Sequence, residues 1–271
     1  MSQKIFAALA VCSLLLGAAA CGSKKVEIAP QTASSDETLF KEGEKLAKKD
    51  AEKARLYWRQ TIDSFPKSYY AQRAKLGIAD SYFDENDEDN MILAAAEYRE
   101  FIQLFPYSPA ASYAQYRIAL SFFNKALKPG RDQQKTQQAL SEFRKVLTNY
   151  PLSEEAKQTR QKITDCEERL AEHAFMIGEQ YYRTAAFKAS TSRLTEILTT
   201  YPTYTGMDKV YFYLAAAYLD WGKPDQAIPF FTKLTTDFPK SNLASKAQDR
   251  LKEAQKLAAV QAAAKVPEKK K

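Results

Sequence analysis

The 271-residue sequence predicts an all-α protein, an α-solenoid of five similar helix pairs with one long connecting helix. Its composition favours helices, since it holds only 8 Gly and 11 Pro among abundant Ala, Leu, Glu, Gln, Lys and Arg. An aromatic residue precedes proline five times, and small and bulky residues recur at fixed distances before these prolines. Such repetition is typical of stacked helical units.

The second helix of each predicted pair is marked by a bulky residue eight positions before the proline and a small one four positions earlier. The bulky residues are Trp58, Tyr98, Phe143, Leu194 and Phe231, and the small ones are Ala54, Ala94, Ala139, Ser190 and Ala227. A four-residue step keeps both on one helix face, so a neighbouring helix can approach over the small residue. The proline then ends the helix.

The first helix of each pair carries a small residue and, three positions later, a larger one. These are Gly43 with Leu46, Ala79 with Tyr82, Ala119 with Phe122, Gly178 with Tyr181 and Ala215 with Tyr218. In the fourth and fifth units 24 residues separate the small residue from the proline, as in the tetratricopeptide (TPR) consensus. We therefore predict five TPR-like repeats.

Boundary signals divide the repeats into an N-terminal array, 37–152, and a C-terminal array, 153–258. Ser68, Ser108, Ser153 and Ser241 are expected to cap helices, with Pro109 at a first helical position. We expect an acidic insertion, 84–89, inside repeat two and another insertion, 128–132, inside repeat three. The long connecting helix follows from one apolar stripe, formed by Ile163, Cys166, Leu170, Ala174, Ile177 and Tyr181.

The N-terminus has the layout of a signal peptide over residues 1–20, with Lys4, an apolar run and then small residues. A membrane-spanning anchor is the alternative, although the run is short for one. Cys21 follows and resembles the lipobox cysteine of bacterial lipoproteins, and Cys12 fits that pattern less well. The alternative for Cys21 is an ordinary loop cysteine. The resemblance implies an N-acyl and S-diacylglycerol lipid on Cys21, and Gly22 in place of Asp implies the outer membrane.

The remaining sequence predicts a binding protein without catalysis, metal or cofactor. His173 is the one histidine, no glycine-rich phosphate loop occurs, and residues 84–89 lack the glycine and closing Glu of an EF-hand loop. We expect His173 at the surface and Cys166 in the core. Residues 21–36 should form a tether and residues 259–271 a basic tail. The tail is either solvated, which we favour, or bound to lipid or nucleic acid. The aromatic residues of the chain suit a helical core better than nucleic-acid binding.

The segment from Arg131 to Pro202 resembles the BamD family, the lipoproteins of the outer-membrane β-barrel assembly machinery. The residues that carry the resemblance are Arg131-Asp132, Ala139, Phe143, Tyr150-Pro151-Leu152-Ser153, Leu170-Ala171, Gly178-Glu179-Gln180-Tyr181-Tyr182, Arg193 and Tyr201-Pro202. The resemblance implies a scaffold on the periplasmic face of the outer membrane that docks on the POTRA domains of the barrel protein BamA and receives unfolded outer-membrane proteins. It also implies a partner-binding role for Arg193, with a solvated surface arginine as the alternative.

The first helices of the N-terminal repeats should line a groove for client peptides, because the first helix of each TPR lines the concave face. When the small residue is numbered as position eight of the repeat, positions two, five, nine and twelve face the groove. From these positions we select Arg73, Asp80 and Phe83 in repeat two and Tyr113, Tyr116 and Phe123 in repeat three. Packing between repeats is the alternative for several of these side chains. The alternative function is a periplasmic TPR scaffold that links cell-wall synthesis or the Tol-Pal system to division; the lipobox and the early start of the repeats favour barrel assembly.

Overall fold

The computed structural model describes residues 35–264, and over that range the chain forms eleven α-helices and no strand. The helices are α1 (Asp36–Leu46), α2 (Ala51–Ser64), α3 (Tyr69–Glu85), α4 (Glu88–Leu104), α5 (Ala111–Phe123), α6 (Gln134–Asn149), α7 (Glu154–Arg183), α8 (Phe187–Thr200), α9 (Met207–Asp220), α10 (Pro224–Asp237) and α11 (Ala244–Ala264). Successive helices pack in order, so the predicted all-α solenoid of five helix pairs is confirmed. The predicted signal peptide, Cys21 and most of the tether lie outside the described residues.

The residues whose regular spacing defined the repeats form the core of the solenoid. All five small residues of the second helices are fully buried, and the five bulky residues beside them are at most 4% exposed. In repeat one the Trp58 indole lies over Gly43 and donates a hydrogen bond to the Phe40 carbonyl (3.3 Å). The small residues therefore allow the two helices of a pair to approach closely.

Each second helix ends at the aromatic residue before proline, in the same backbone conformation every time. The five residues have φ between −128° and −136° and ψ between 52° and 60°. Each donates its N–H to the carbonyl four residues earlier, and its own carbonyl accepts an N–H from three residues later. The proline cannot continue the ladder, so the chain turns into the next repeat at the same angle.

The connecting helix is α7, which is 30 residues long. Its first half packs on α5 and α6 and its second half on α8 and α9, so the two predicted arrays are continuous. The predicted apolar stripe is right for Cys166 and Leu170 but wrong at its end, where Tyr181 is exposed. Ala171, Phe175 and Gly178 are buried instead, because the packing face of the helix rotates where it passes from one neighbour to the next.

Two of the four capping predictions are confirmed; the other two, and the placement of Pro109 at a first helical position, are wrong. Ser68 and Ser153 accept N–H hydrogen bonds from residues three positions later and cap α3 and α7. At Ser108, Pro109 lies in a turn and α5 begins only at Ala111, because the Ser108 carbonyl accepts the Ala111 N–H (2.9 Å). Ser241 likewise lies in a turn before α11.

The predicted insertion at 84–89 is mostly helical. Only Asn86 and Asp87 separate α3 from α4: Asn86 adopts the left-handed conformation (φ 54°) that asparagine tolerates, and Asp87 caps α4 by accepting the Asn90 N–H (2.8 Å). The predicted insertion at 128–132 does lie in the connection between α5 and α6. Its Pro129 carbonyl lies 2.5 Å from Nδ1 of His173, so His173 is half-buried rather than on the surface.

The C-terminal boundary also differs from the prediction, since α11 continues to Ala264 and takes in half of the segment expected to be a basic tail. That part of the helix is rich in alanine, the best helix former. The Gln261 side-chain amide donates to the Gly222 carbonyl (3.3 Å) and ties the helix to repeat five. Among the described residues, no helix is both long and apolar enough to cross a membrane.

A partly buried carboxylate joins repeats two and three. Glu142 accepts a hydrogen bond from the Gln115 side chain (2.9 Å) and pairs with Lys145 (3.1 Å) and Arg99 (3.2 Å). Burial of the carboxyl raises its pKa, but the three donors outweigh that effect, so the pKa of Glu142 lies below its ordinary value. The charged form of Glu142 therefore stabilises the fold.

Candidate partner-binding surfaces

Arg193 lies on the second helix of repeat four, directly before the buried core residue Leu194. Its side chain is 42% exposed, and its guanidinium pairs with Glu196 (2.9 Å), one turn along the same helix. An exposed pair of this kind is worth about 0–1 kcal/mol, so exchanging Glu196 for a carboxylate on a partner costs little. The geometry leaves Arg193 available for binding.

The structure gathers three of the six predicted groove residues around one arginine that sequence reasoning missed. The Arg117 guanidinium lies 3.6 Å from the ring centre of Phe83 and 5.4 Å from that of Tyr113, and it pairs with Asp80 (3.5 Å). Asp80 accepts hydrogen bonds from Tyr113 (2.7 Å) and from the buried Tyr98 hydroxyl. These contacts join α3, α4 and α5, so the three residues take part in packing between repeats.

Burial and the nearby Asp80 carboxylate shift the titration of both tyrosines in this cluster. The pKa values of Tyr98 and Tyr113 are raised, first because burial disfavours the phenolate and second because Asp80 repels it. Both phenols therefore remain protonated donors at neutral pH. No spacing rule flagged Arg117; the signal available was a basic residue between the buried residues Tyr116 and Ile118 of an otherwise uncharged helix.

The other three predicted groove residues have different surroundings. Tyr116 is only 9% exposed and packs on Phe143 (ring centres 5.7 Å apart), so its side chain belongs to the core of repeat three and the groove prediction is wrong for it. Phe123 is half-buried between Phe143 and the Lys162 ammonium. Arg73 is exposed: it lies 4.4 Å from the ring centre of Phe40 and pairs with Glu44 (3.0 Å).

An open groove of about 590 Å³ does lie on the N-terminal repeats, but it is mainly charged. Asp80 is the predicted residue that lines it. The other charged side chains in its wall are Glu44, Lys48, Lys49, Asp84 and Glu85. None of the four aromatic groove candidates lines it, and the one aromatic residue in its wall is Trp58. The Phe83 and Tyr113 rings are covered by Arg117 instead.

Within residues 35–264 no cluster of histidine, cysteine or carboxylate side chains is arranged to hold a metal ion. Cys166 is fully buried in the core, as predicted, and burial raises the pKa of its thiol to about 12. A thiol with such a pKa is protonated at neutral pH and is a poor nucleophile.

The five stacked helix pairs define an α-solenoid of the TPR type. Residues 32–228 match the YfiO family, described as "Outer membrane lipoprotein", and since this is more than half of the sequence, the chain belongs to that family. This membership associates the chain with the outer membrane.

Two relatives are each named "Outer membrane protein assembly factor BamD", which confirms the resemblance seen in the sequence. The Caulobacter vibrioides protein is 29% identical over 68% of this chain, which spans 59% of that protein's length. The Rickettsia prowazekii protein is 27% identical, with 88% of this chain and 92% of that protein covered. Among solved structures, the TPR2AB domain of yeast Sti1 is 15% identical with a TM-score of 0.42, over 82% of this chain and 86% of that one, a likeness too distant to carry an inference.

Proposed function

We propose that the chain is a non-catalytic scaffold that helps assemble β-barrel proteins into the outer membrane. The observation that carries the proposal is the family match over residues 32–228, together with the assembly-factor name of the relatives. The continuous solenoid supports it, because stacked helix pairs give extended surfaces suited to other proteins. The scaffold would be held on the periplasmic face of the outer membrane by a lipid on Cys21, with no other cofactor.

The C-terminal repeats would dock on the POTRA domains of a BamA-like barrel protein. Arg193 supports this part of the proposal, because its guanidinium is exposed and pairs only weakly with Glu196 on its own helix. A partner carboxylate could replace Glu196 and form a charge-assisted hydrogen bond with Arg193.

Affinity purification of the tagged full-length protein from outer membranes tests this function. The wild type should recover a POTRA-bearing barrel protein, and Arg193→Glu should lower that recovery severalfold by placing like charges face to face. Arg144→Glu is a matched control, since Arg144 is also exposed and pairs with one carboxylate, Glu167 (2.8 Å). Recovery of cell-division or Tol-Pal proteins without a barrel protein would contradict the proposal and favour the alternative scaffold.

The N-terminal repeats would receive unfolded outer-membrane proteins along their charged groove. Two groove candidates support this part of the proposal: Asp80 lines the groove, and the exposed Arg73 pairs with Glu44 of the groove wall (3.0 Å). We expect an unfolded barrel protein to cross-link to a probe at Arg73 but not to a probe at Lys157, which is exposed at the start of α7. Equal cross-linking at both positions would contradict a defined client site.

The lipid anchor is tested separately from the docking surface. Cys21→Ala should release the protein from membranes into the soluble periplasmic fraction, because acyl chains supply about 0.8 kcal/mol per buried CH₂. Unchanged membrane retention of the variant, in cells that lack the barrel partner, would contradict lipidation at Cys21.

A further inference from the structure

An open, mostly apolar pocket of about 640 Å³ lies where the turn between α7 and α8 meets the end of α9, and Ser192, the residue before Arg193, is part of its wall. Ala185, Phe187 and Ala189 form one side of the pocket and Trp221 forms the other. The Lys223 ammonium lies 3.3 Å from the centre of the Trp221 ring, so the indole is held in place by a cation–π contact. The pocket is large enough for one or two bulky side chains.

The backbone at Ala185 is strained in a way that the next repeat avoids. Ala185 has φ 57°, a left-handed conformation that alanine rarely adopts, whereas the corresponding residue of repeat five is Gly222 (φ 76°). Glycine would relieve the strain at Ala185 but would remove the methyl group that lines the pocket. Local strain of this kind is characteristic of functional sites, and here it preserves an apolar wall.

The charges around the pocket are of one sign. Lys188 lines the pocket, Lys223 lies on the Trp221 ring, and none of the lining residues is acidic. Arg193 lies four residues after Ala189 on α8, so it continues the same helix face. A carboxylate near the pocket would therefore meet two or three cations and no lining anion.

We infer that this pocket holds a segment of a partner protein in which a large apolar side chain is flanked by carboxylates. The apolar side chain fills the space between Phe187 and Trp221, and the carboxylates pair with Lys188 and Arg193. The inference rests on the proposed docking of a partner at this face of repeat four, and it adds the chemistry by which that face recognises its partner. Apolar anchors in pockets, rather than surface ion pairs, supply most of the affinity of such contacts.

Tryptophan fluorescence can report directly on the pocket, because the chain has only two tryptophans and the other, Trp58, is buried in repeat one. In full-length Trp58→Phe protein Trp221 is the only tryptophan, and excitation at the red edge of the absorption band, where tyrosine absorbs little, isolates its emission. The probes are two blocked hexapeptides, Gly-Asp-Phe-Leu-Glu-Gly and its basic counterpart Gly-Lys-Phe-Leu-Lys-Gly. The acidic peptide should shift Trp221 emission saturably and bind about tenfold more tightly than the basic one, since two attractive charge contacts become repulsive.

Variants separate the two parts of the site. Lys188→Glu should reverse the preference between the peptides, whereas Lys157→Glu, at an exposed position at the start of α7, should leave it unchanged. Ala185→Gly should weaken binding of the acidic peptide severalfold, since it removes the lining methyl group. This variant relieves backbone strain, so loss of folding cannot explain a loss of binding.

Absence of a saturable shift with the acidic peptide, or equal binding of both peptides, would overturn the inference. A second copy of the chain is the other possible occupant: Trp221 emission would then change with protein concentration alone, with dimers in sedimentation velocity that Lys188→Glu abolishes, and the inference would also fail. The peptides contain no POTRA sequence, so their failure to bind alongside intact co-purification of the barrel protein would reject the pocket but leave the proposed function standing.

Discussion

Substitution of Gly178 by alanine tests the close approach of helices on which every repeat depends. A β-carbon at Gly178 would lie 2.6 Å from Cδ2 and 2.7 Å from Cγ of Leu194, which is fully buried on α8. The Ser190 hydroxyl donates to the Gly178 carbonyl (2.9 Å) and holds the two helices at this distance. Neither Leu194 nor the backbone can move away without disturbing the core of repeat four.

Two opposing terms set the size of the effect. Alanine in place of glycine inside a helix gains about 1 kcal/mol from helix propensity. Overpacking of a well-packed core costs about 1–3 kcal/mol, so Gly178→Ala should be neutral to about 2 kcal/mol destabilising. Leu194→Ala alone should cost about 2–5 kcal/mol, because it leaves a cavity.

The double variant tests whether the two residues are in direct contact, because the new methyl group of Gly178→Ala would occupy part of the space that Leu194→Ala vacates. We expect the double variant to be more stable than the sum of the single effects by at least about 1 kcal/mol, measured by urea unfolding with far-UV circular dichroism. Gly77→Ala is the control: its β-carbon would meet the Trp58 ring at 3.1 Å, a smaller overlap. Strictly additive effects, or a stability gain of 1 kcal/mol in Gly178→Ala, would refute the packing account.

Three further predictions concern stability and reactivity. The pKa of Glu142 is lowered in the fold, so its contribution to stability is present above pH 4.5 and is lost as the pH falls. In Glu142→Gln the free energy of unfolding in urea should therefore fall less than in the wild type between about pH 5 and about pH 3. An equal fall in both proteins would contradict this. Cys166, with its pKa raised to about 12, should react with a thiol reagent at pH 8 only after unfolding, with Cys166→Ala as the blank; rapid labelling of the folded protein would contradict its burial. Ala185→Gly should raise the free energy of unfolding by about 1 kcal/mol and Gly222→Ala should lower it by a similar amount, because both residues have the left-handed backbone conformation that glycine adopts at lower cost, and a β-carbon at Gly222 would meet nothing within 4 Å. Equal melting curves would contradict the strain.

The helix pairs could be predicted from the sequence because the same residues specify both the local structure and the packing. Phe143 and Ala139, for example, lie on one face of α6, and that face is the core of repeat three. Pro151 ends the helix whatever its neighbours are, since proline lacks an N–H. Periodicity and helix termination are local properties, so they survive in the sequence alone.

Helix starts and the groove were less predictable because they depend on tertiary contacts. Serine is a preferred N-cap residue, yet the Ser108 carbonyl accepts a hydrogen bond in a turn and α5 begins later. Position counting placed Tyr116 in the groove, but α5 turns that side chain onto Phe143 of the next helix. Arg117 was missed because its role depends on contacts with side chains of α3 and α4, and because it is not at one of the counted groove positions.

The Arg193 site could be placed on the helix from the sequence, but its surroundings could not. The family resemblance singled out the residue, whereas the neighbouring pocket depends on Ala185 and Trp221, which are 36 residues apart in the sequence. Only the stacking of repeat four on repeat five brings these two turns together. The left-handed conformation of Ala185 has no sequence signal, because alanine rarely adopts it.

The central claim, that the face of α8 around Arg193 docks on a barrel-assembly partner, is tested most directly by photo-cross-linking in living cells. A photoreactive side chain in place of Arg193 should form one dominant cross-link, to a POTRA-bearing barrel protein, whereas the same group in place of Arg144 should not. A cross-link from Arg193 to a cell-division protein, or equal cross-linking of the barrel protein from both positions, would contradict the account.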